Sequence, residues 1–189
     1  AYPRRSDFYR QELIDFLIIC RDNGLSPRSI KGSYAGAFGQ AQFMPSSFKE
    51  YAVDFDGDRR VDIISSIPDI FASIANYLQR FGWTFGTPAY AELGRTLHSE
   101  ILLEALSDGR KAKIDWRRVA AIQKVALLPP PEDRPLSIIG LELAPHVGGG
   151  MRYIAAYPNM QAISEYNHSS KYAMAVAEMA EAFKDERPE

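Results

Sequence analysis

Residues 31–48, "KGSYAGAFGQAQFMPSSF", restrict what this chain can fold into more than any other stretch. Gly32, Gly36 and Gly39, with the Ser and Ala residues between them, strip away bulk, so a regular helix or strand is disfavoured there. Tyr34, Phe38, Phe43 and Phe48 recur among the small residues, together with two lone glutamines, Gln40 and Gln42. The segment is irregular chain that regular elements must hold. A wall lining a cleft has this texture, because glycine permits close approach of the backbone, aromatic faces cover a ligand and neutral amides satisfy its polar groups without charge. A Gly/Ala-rich segment packed tightly between helices has it too, and spacing alone does not separate the two.

The flanking sequence predicts helices. From Ser6, a plausible N-cap, Tyr9, Leu13, Phe16, Leu17 and Cys20 recur on one helical face until "DNG" at Asp22 to Gly24 stops the run. Pro45 suits an early position of a short helix reaching Tyr51. Ser66 with Asp69 makes a capping-box-like start for a helix whose Ile70, Ile74, Tyr77, Leu78 and Phe81 share a face before Gly82. Over 88–165 the texture changes: "DWRRVAAIQKVAL" reads as a helix, "LSIIGLEL" and "AISEY" read as strands, and "GGG" at Gly148 to Gly150 marks a turn. After Ser169 or Ser170, Tyr172, Val176, Met179 and Phe183 return at helical spacing. The fold class expected is mainly α (α+β), with a core formed by 1–87 and 166–189 and a small mixed α/β insertion between them.

Composition removes whole classes of function. With 189 residues, 46% hydrophobic and 12% aromatic, the chain folds rather than stays disordered. A net charge of −2 gives no electrostatic bias toward nucleic acid. No apolar run is long enough to span a bilayer, and "AYPRRSDFYRQELIDF" has charges where a signal peptide needs an apolar core. Any export signal or lipid anchor is therefore expected outside this sequence. The single cysteine, Cys20, suits core packing, and His98, His146 and His168 are too scattered for a zinc site.

"DFDGDRRVDIISSIPD" sets Asp54, Asp56 and Asp58 at alternate positions between two predicted helices. Calcium takes six to eight oxygens, and an EF-hand loop supplies them from its first, third, fifth and seventh positions and from an acid near its end. Asp54, Asp56 and Asp58 fill the first three roles, the Arg60 main-chain oxygen the next, and Asp69 closes the set. Two features depart from a standard hand: Gly57 stands at the fourth position rather than the sixth, and Ser65 occupies the twelfth. A solvated acidic turn with Arg59 and Arg60 as counter-charges is the competing reading. A calcium ion here is expected to be structural; no organic cofactor is expected.

Taken together, "YPRR", the Gly-rich stretch, "DFDGD", "ANYLQRFGW" and "YNHSSKYAMAV" resemble, in order, the motifs of lytic murein transglycosylases of the membrane-bound lytic transglycosylase B type. The resemblance implies a lysozyme-like helical core, an EF-hand-like calcium loop at 54–69 and a peptidoglycan cleft. It implies cleavage of the β-1,4 bond between N-acetylmuramic acid (MurNAc) and N-acetylglucosamine (GlcNAc), with formation of 1,6-anhydro-MurNAc. One glutamic acid does this work, first as acid and then as base, and needs a pKa raised by apolar surroundings. In the family that acid lies upstream of "YPRR", so no catalytic residue is assigned here, and an upstream segment of the same enzyme is the expected partner. Glu50 is read as a solvent-facing helix residue, with lysozyme-type hydrolysis through it as a remote alternative.

At matching positions, the resemblance implies that Arg4 and Arg5 receive lactyl and stem-peptide carboxylates, for which a guanidinium fork is suited. Ser33 and Gln42 would bond sugar N-acetyl or hydroxyl groups, Tyr77 would flank the reacting bond, and Tyr166, Asn167 and Tyr172 would complete the cleft. Each has a plainer alternative: a solvated arginine pair, turn formation for Ser33 and Gln42, core packing for Tyr77 and Tyr172, a helix cap for Asn167. The partner expected is the peptidoglycan glycan strand, and the location is the periplasm, with outer-membrane anchoring in a full-length protein. A non-catalytic, calcium-stabilised peptidoglycan-binding fragment is the second functional reading.

Overall fold

A computed structural model describes residues 5–106, 111 and 114–185. Seven α-helices and three strands lie among them, in two units that divide between Tyr77 and Leu78.

In the first unit, α1 (Ser6–Asp22) ends where Asn23 turns its side-chain amide back to the Ile19 carbonyl and Gly24 enters the left-handed region at φ +65°. Pro45 opens α2 (Pro45–Tyr51), as its fixed φ and missing N–H favour. The Ser66 carbonyl takes the Ile70 N–H at the start of α3 (Ile67–Arg80). Phe38, Phe43, Phe48, Ile63 and Ile70 are buried around these helices. Phe38 meets Phe16 edge-on with ring centroids 5.5 Å apart, and Tyr77 meets Tyr51 edge-on at 4.9 Å.

The face of α1 corrects the expectation from periodicity. Leu13 and Leu17 are about half exposed, as are Phe8 and Ile14, whereas Glu12, Asp15, Ile19 and Cys20 are buried. The reason is polar: α2 carries donors that match the two acids, with Ser46 bonding Glu12 and Lys49 bonding Asp15. A buried carboxylate is tolerated only with such partners.

In the second unit, β1 (Tyr90–Gly94), β3 (Met151–Ala156) and β2 (Ser137–Glu142) form an antiparallel sheet in the order β1-β3-β2. Alternation along the strands splits the core. Ile138 and Ala155 join Leu102 of α4 (Glu100–Glu104) and Val119 of α5 (Trp116–Gln123). Ile139, Ile154 and Ala156 join Met160 and Ile163 of α6 (Pro158–Tyr166) and Ala173, Met174 and Ala177 of α7 (Ser170–Asp185). Asp115 caps α5 by accepting the Arg117 and Arg118 N–H groups.

Three readings are corrected here. "AISEY" lies in α6, not in a strand. Pro158 starts that helix, and because Asn159, Met160, Ala162, Ile163 and Ser164 are all buried, it shows none of the contrast that marks an amphipathic helix. The buried stripe of α7 is Ala173, Met174 and Ala177, whereas Met179 and Phe183 are more than half exposed. Those residues seat α7 on the sheet cluster, so residues 170–185 group with the sheet rather than with 1–87.

Candidate functional site

The glycine-laced segment folds into two linked turns. Ser33 closes the first: its N–H reaches the Ala37 carbonyl at 2.8 Å, its carbonyl takes the Gly36 N–H at 2.9 Å, and its Oγ accepts the Ala37 N–H at 3.1 Å. The second is closed by the Phe38 N–H donating to the Phe43 carbonyl at 2.9 Å. Gly39 is required there, since φ is +69° and a Cβ would stand 2.7 Å from the Ile63 carbonyl oxygen. Gln42 adopts φ +50° without that freedom, held by its own Nε2 donating to the Gly39 carbonyl at 2.8 Å.

Ser33 and Gln42 are both exposed, so the two residues expected to meet a sugar stand on the surface of these turns. Beside the first turn lies a hollow of about 340 Å³ with Ser33, Tyr34 and Gly36 on one side and Tyr9, Glu12 and Phe16 of α1 on the other. Tyr77 is buried, its ring 5.7 Å from Phe43 and 4.9 Å from Tyr51, as core packing requires. Arg5 lies at the start of α1 with its guanidinium 5.7 Å from the Phe8 ring centre. Arg4 lies outside the described residues. Glu50 is exposed near the end of α2.

The acidic loop gathers three carboxylates. One oxygen from each of Asp54, Asp56 and Asp58 lies within 4.8 Å of the others, the one such cluster among the described residues. Main-chain donors shape it: Asp54 accepts the Gly57 and Arg59 N–H groups, Asp56 that of Asp58, and Asp58 that of Arg60. Three hard oxygen donors at this spacing fit a calcium ion and disfavour a soft metal. Asp69 stands apart from the cluster. It is 1% exposed, and its oxygens accept the N–H groups of Phe55 at 2.8 Å, Asp56 at 3.4 Å and Asp62 at 2.9 Å. It braces the loop from beneath. The Arg60 guanidinium reaches back to the Asn23 carbonyl at 3.0 Å, joining the loop to the end of α1. Burial opposes ionisation of Asp62, but hydrogen bonds from Ser65, Ile64 and Ser66 prevail and hold its carboxyl below the usual range.

In the second unit, Tyr166 ends α6, Asn167 follows it in extended conformation, and Tyr172 stands in the first turn of α7, partly exposed. The helix cap expected of Asn167 falls to Ser169, whose Oγ accepts the Tyr172 N–H at 3.3 Å. The His168 ring lies 3.1 Å from the Ser164 carbonyl at the end of α6.

Two groups escaped the sequence reading: Glu12 with Ser46, and Asp15 with Lys49. Their signal was the stripe Glu12, Asp15, Phe16, Ile19 and Cys20, which is as regular as the apolar stripe preferred over it.

Comparison with known proteins supplies the lineage. A family model described as the transglycosylase SLT domain matches residues 1–181. Membrane-bound lytic murein transglycosylase B of Escherichia coli (strain K12) is 36% identical over 96% of this chain, which spans 47% of that protein, about half its length. Escherichia coli lytic transglycosylase Slt35, solved in complex with calcium, superimposes with a TM-score of 0.77 at 36% identity over 96% of this chain and 55% of its own. SltB3 from Pseudomonas aeruginosa, solved in complex with NAG-anhNAM-pentapeptide, does so with a TM-score of 0.74 at 32% identity, covering 96% of this chain and 47% of its own. The likeness to Slt35 identifies the arrangement as the lysozyme-like fold, mostly helical with a small antiparallel sheet. The chain belongs to the transglycosylase SLT-domain family, and it is similar to lytic murein transglycosylases of the B type.

Proposed function

We propose that this chain is the glycan-facing part of a peptidoglycan lytic transglycosylase that cleaves the MurNAc–GlcNAc β-1,4 bond and leaves 1,6-anhydro-MurNAc. The observation that carries this reading is the relative SltB3, solved in complex with NAG-anhNAM-pentapeptide, to which 96% of this chain is similar. An upstream segment of the same enzyme supplies the acid. That group protonates the leaving glycosidic oxygen as the bond to the muramyl anomeric carbon breaks, then takes the proton of the muramyl 6-hydroxyl as its oxygen bonds to that carbon. No water is consumed, so a single acid suffices where ordinary glycosidases need two.

Within the first unit, Gln42 and Ser33 bond acetamido and hydroxyl groups, Arg4 and Arg5 receive lactyl and stem-peptide carboxylates, and Tyr77 shapes the sugar's surroundings; Tyr166, Asn167 and Tyr172 are the glycan-contacting residues of the second unit. The exposure of Gln42 on a left-handed turn supports its part, because a conformation that disfavours side chains retains one there. Calcium, bound by Asp54, Asp56, Asp58 and the Arg60 carbonyl, fastens the acidic loop and takes no part in bond cleavage; that Slt35 was solved in complex with calcium supports the choice of ion. Asp69, first read as the closing ligand, braces the loop through its amides. The enzyme works in the periplasm on peptidoglycan. No helix among the described residues is long and apolar enough to cross a membrane.

The test is digestion of purified murein followed by mass spectrometry of the products. The chain alone should bind without turnover, and a polypeptide that also carries the upstream acid should release anhydro-muropeptides. Anhydro products from this chain alone would place the acid within it. Reducing-end products lost in Glu50→Gln would establish hydrolysis, and binding without turnover by the longer polypeptide would establish an inert binding module.

A further inference from the structure

Glu12 is only 6% exposed, yet both its oxygens are engaged: the Ser46 N–H donates at 3.0 Å and the Ser46 Oγ at 2.7 Å. The identity of that donor matters. Helix α2 begins with Pro45, which has no N–H, and its N-cap, Met44, offers no side-chain acceptor, so the Ser46 N–H is an amide that the helix itself leaves open. Glu12 does from another helix what an N-cap does within one, with a carboxylate suitably placed at a helix start.

Four residues before Ser46 stands Gln42. The turn that displays it is closed on one side by the pairing of Phe38 with Phe43, and Ser46 follows directly on the other side through Met44 and Pro45. The chain from Phe38 to Ser46 is therefore pinned at two points, one by the Phe38–Phe43 pairing and one by Glu12. Glu12 also lines the hollow bordered by Ser33 and Gly36.

We infer that Glu12 is a positioning residue: through Ser46 it holds the turn that presents Gln42 to the glycan. This rests on the reading of Gln42 under Proposed function. Asp15 supplies an internal control, since it too ties α1 to α2, through Lys49 at 2.6 Å, but three residues beyond Ser46 and away from the turn.

The experiment measures binding of NAG-NAM-pentapeptide by calorimetry to this chain, at a temperature where circular dichroism shows each variant folded, alongside hydrogen exchange. Glu12→Leu, similar in size but without acceptors, should weaken binding about tenfold and speed exchange of the Phe38 and Gln42 amides by a similar factor. Glu12→Gln should stay within about threefold of wild type, because its carbonyl can still accept the Ser46 N–H while the Ser46 hydroxyl turns to accept its NH2. Lys49→Ala should leave binding and those two amides unchanged. A folded Glu12→Leu that binds like wild type, or Lys49→Ala that weakens binding equally, overturns the inference. Should Glu12→Leu not fold, Ser46→Ala takes its place, with binding expected to weaken about threefold and equal affinity overturning it. Wild-type chain that fails to bind the muropeptide counts against the proposed function instead. The exchange rates then decide the positioning role, and Phe38 and Gln42 amides unmoved by the Glu12 variants overturn it.

Discussion

The acidic loop and the α1–α2 contact both set carboxylates into the first unit, and they satisfy them in opposite ways. In the loop, Asp54, Asp56 and Asp58 draw on amides two to five residues away, and Asp69 reaches back no further than Phe55. In the α1–α2 contact, Glu12 and Asp15 each draw on partners 34 residues away. A locally closed loop keeps its shape with little help from the rest of the unit, so a metal adds to a structure already formed. The long-range contacts tie one helix to another, and the one made by Glu12 through Ser46 is the one proposed to fix where the Gly-rich turns stand. The loop suits a staple, and the contact suits positioning.

The comparison breaks most visibly at Asp69. Asp69→Ala leaves three amides beneath the loop without an acceptor, and should cost about 3 kcal/mol or more of stability in urea unfolding. A loss too small to resolve would show that the loop does not depend on its brace. Next comes the metal. Calcium at about one hundred times its dissociation constant should add about 2.7 kcal/mol to wild type, read as a higher Tm, and nothing to Asp54→Ala with Asp58→Ala. Equal melting of wild type with and without calcium would remove the ion from the account.

The smallest effect is in acid. The hydrogen bond from Lys49, against the opposing effect of burial, holds Asp15 below the ordinary value of 3.8, and Asp62 is held below it as well. A carboxyl depressed in the folded state stabilises above its unfolded value and loses that contribution as pH falls through the folded one. Wild type should therefore lose stability below pH 3.8. Lys49→Met should flatten the share that depends on the remote contact, and Ser65→Ala the share within the loop. Circular dichroism during acid titration reads both, and identical curves for wild type and Lys49→Met would discount the long-range ion pair.

The same contrast explains what could be read from residues alone. Helix ends were legible because their causes are local: Asn23 and Gly24 stop α1, Pro45 opens α2, and the Ser66 region opens α3. The cluster of Asp54, Asp56 and Asp58 was legible because alternate positions in one short loop bring side chains together. The buried face of α1 was not, since its acids are drawn inward by donors on α2 that no window of helix length contains. Asp69 was recognised as part of the loop, but its amide partners were not, because an acid at that spacing looks alike whether it faces an ion or a set of amides. Helix α6 was lost for a related reason: burial on every side erased its period.

The account as a whole rests on the Gly-rich turns facing a glycan, and Gln42→Gly tests that most directly. Glycine suits φ +50° better than glutamine does, so the exchange removes the amide while leaving the turn at ease. Calorimetry with NAG-NAM-pentapeptide should show binding weakened by about tenfold or more, with Tm within about 2 °C of wild type. A Gln42→Gly chain that binds the muropeptide as tightly as wild type would contradict the account.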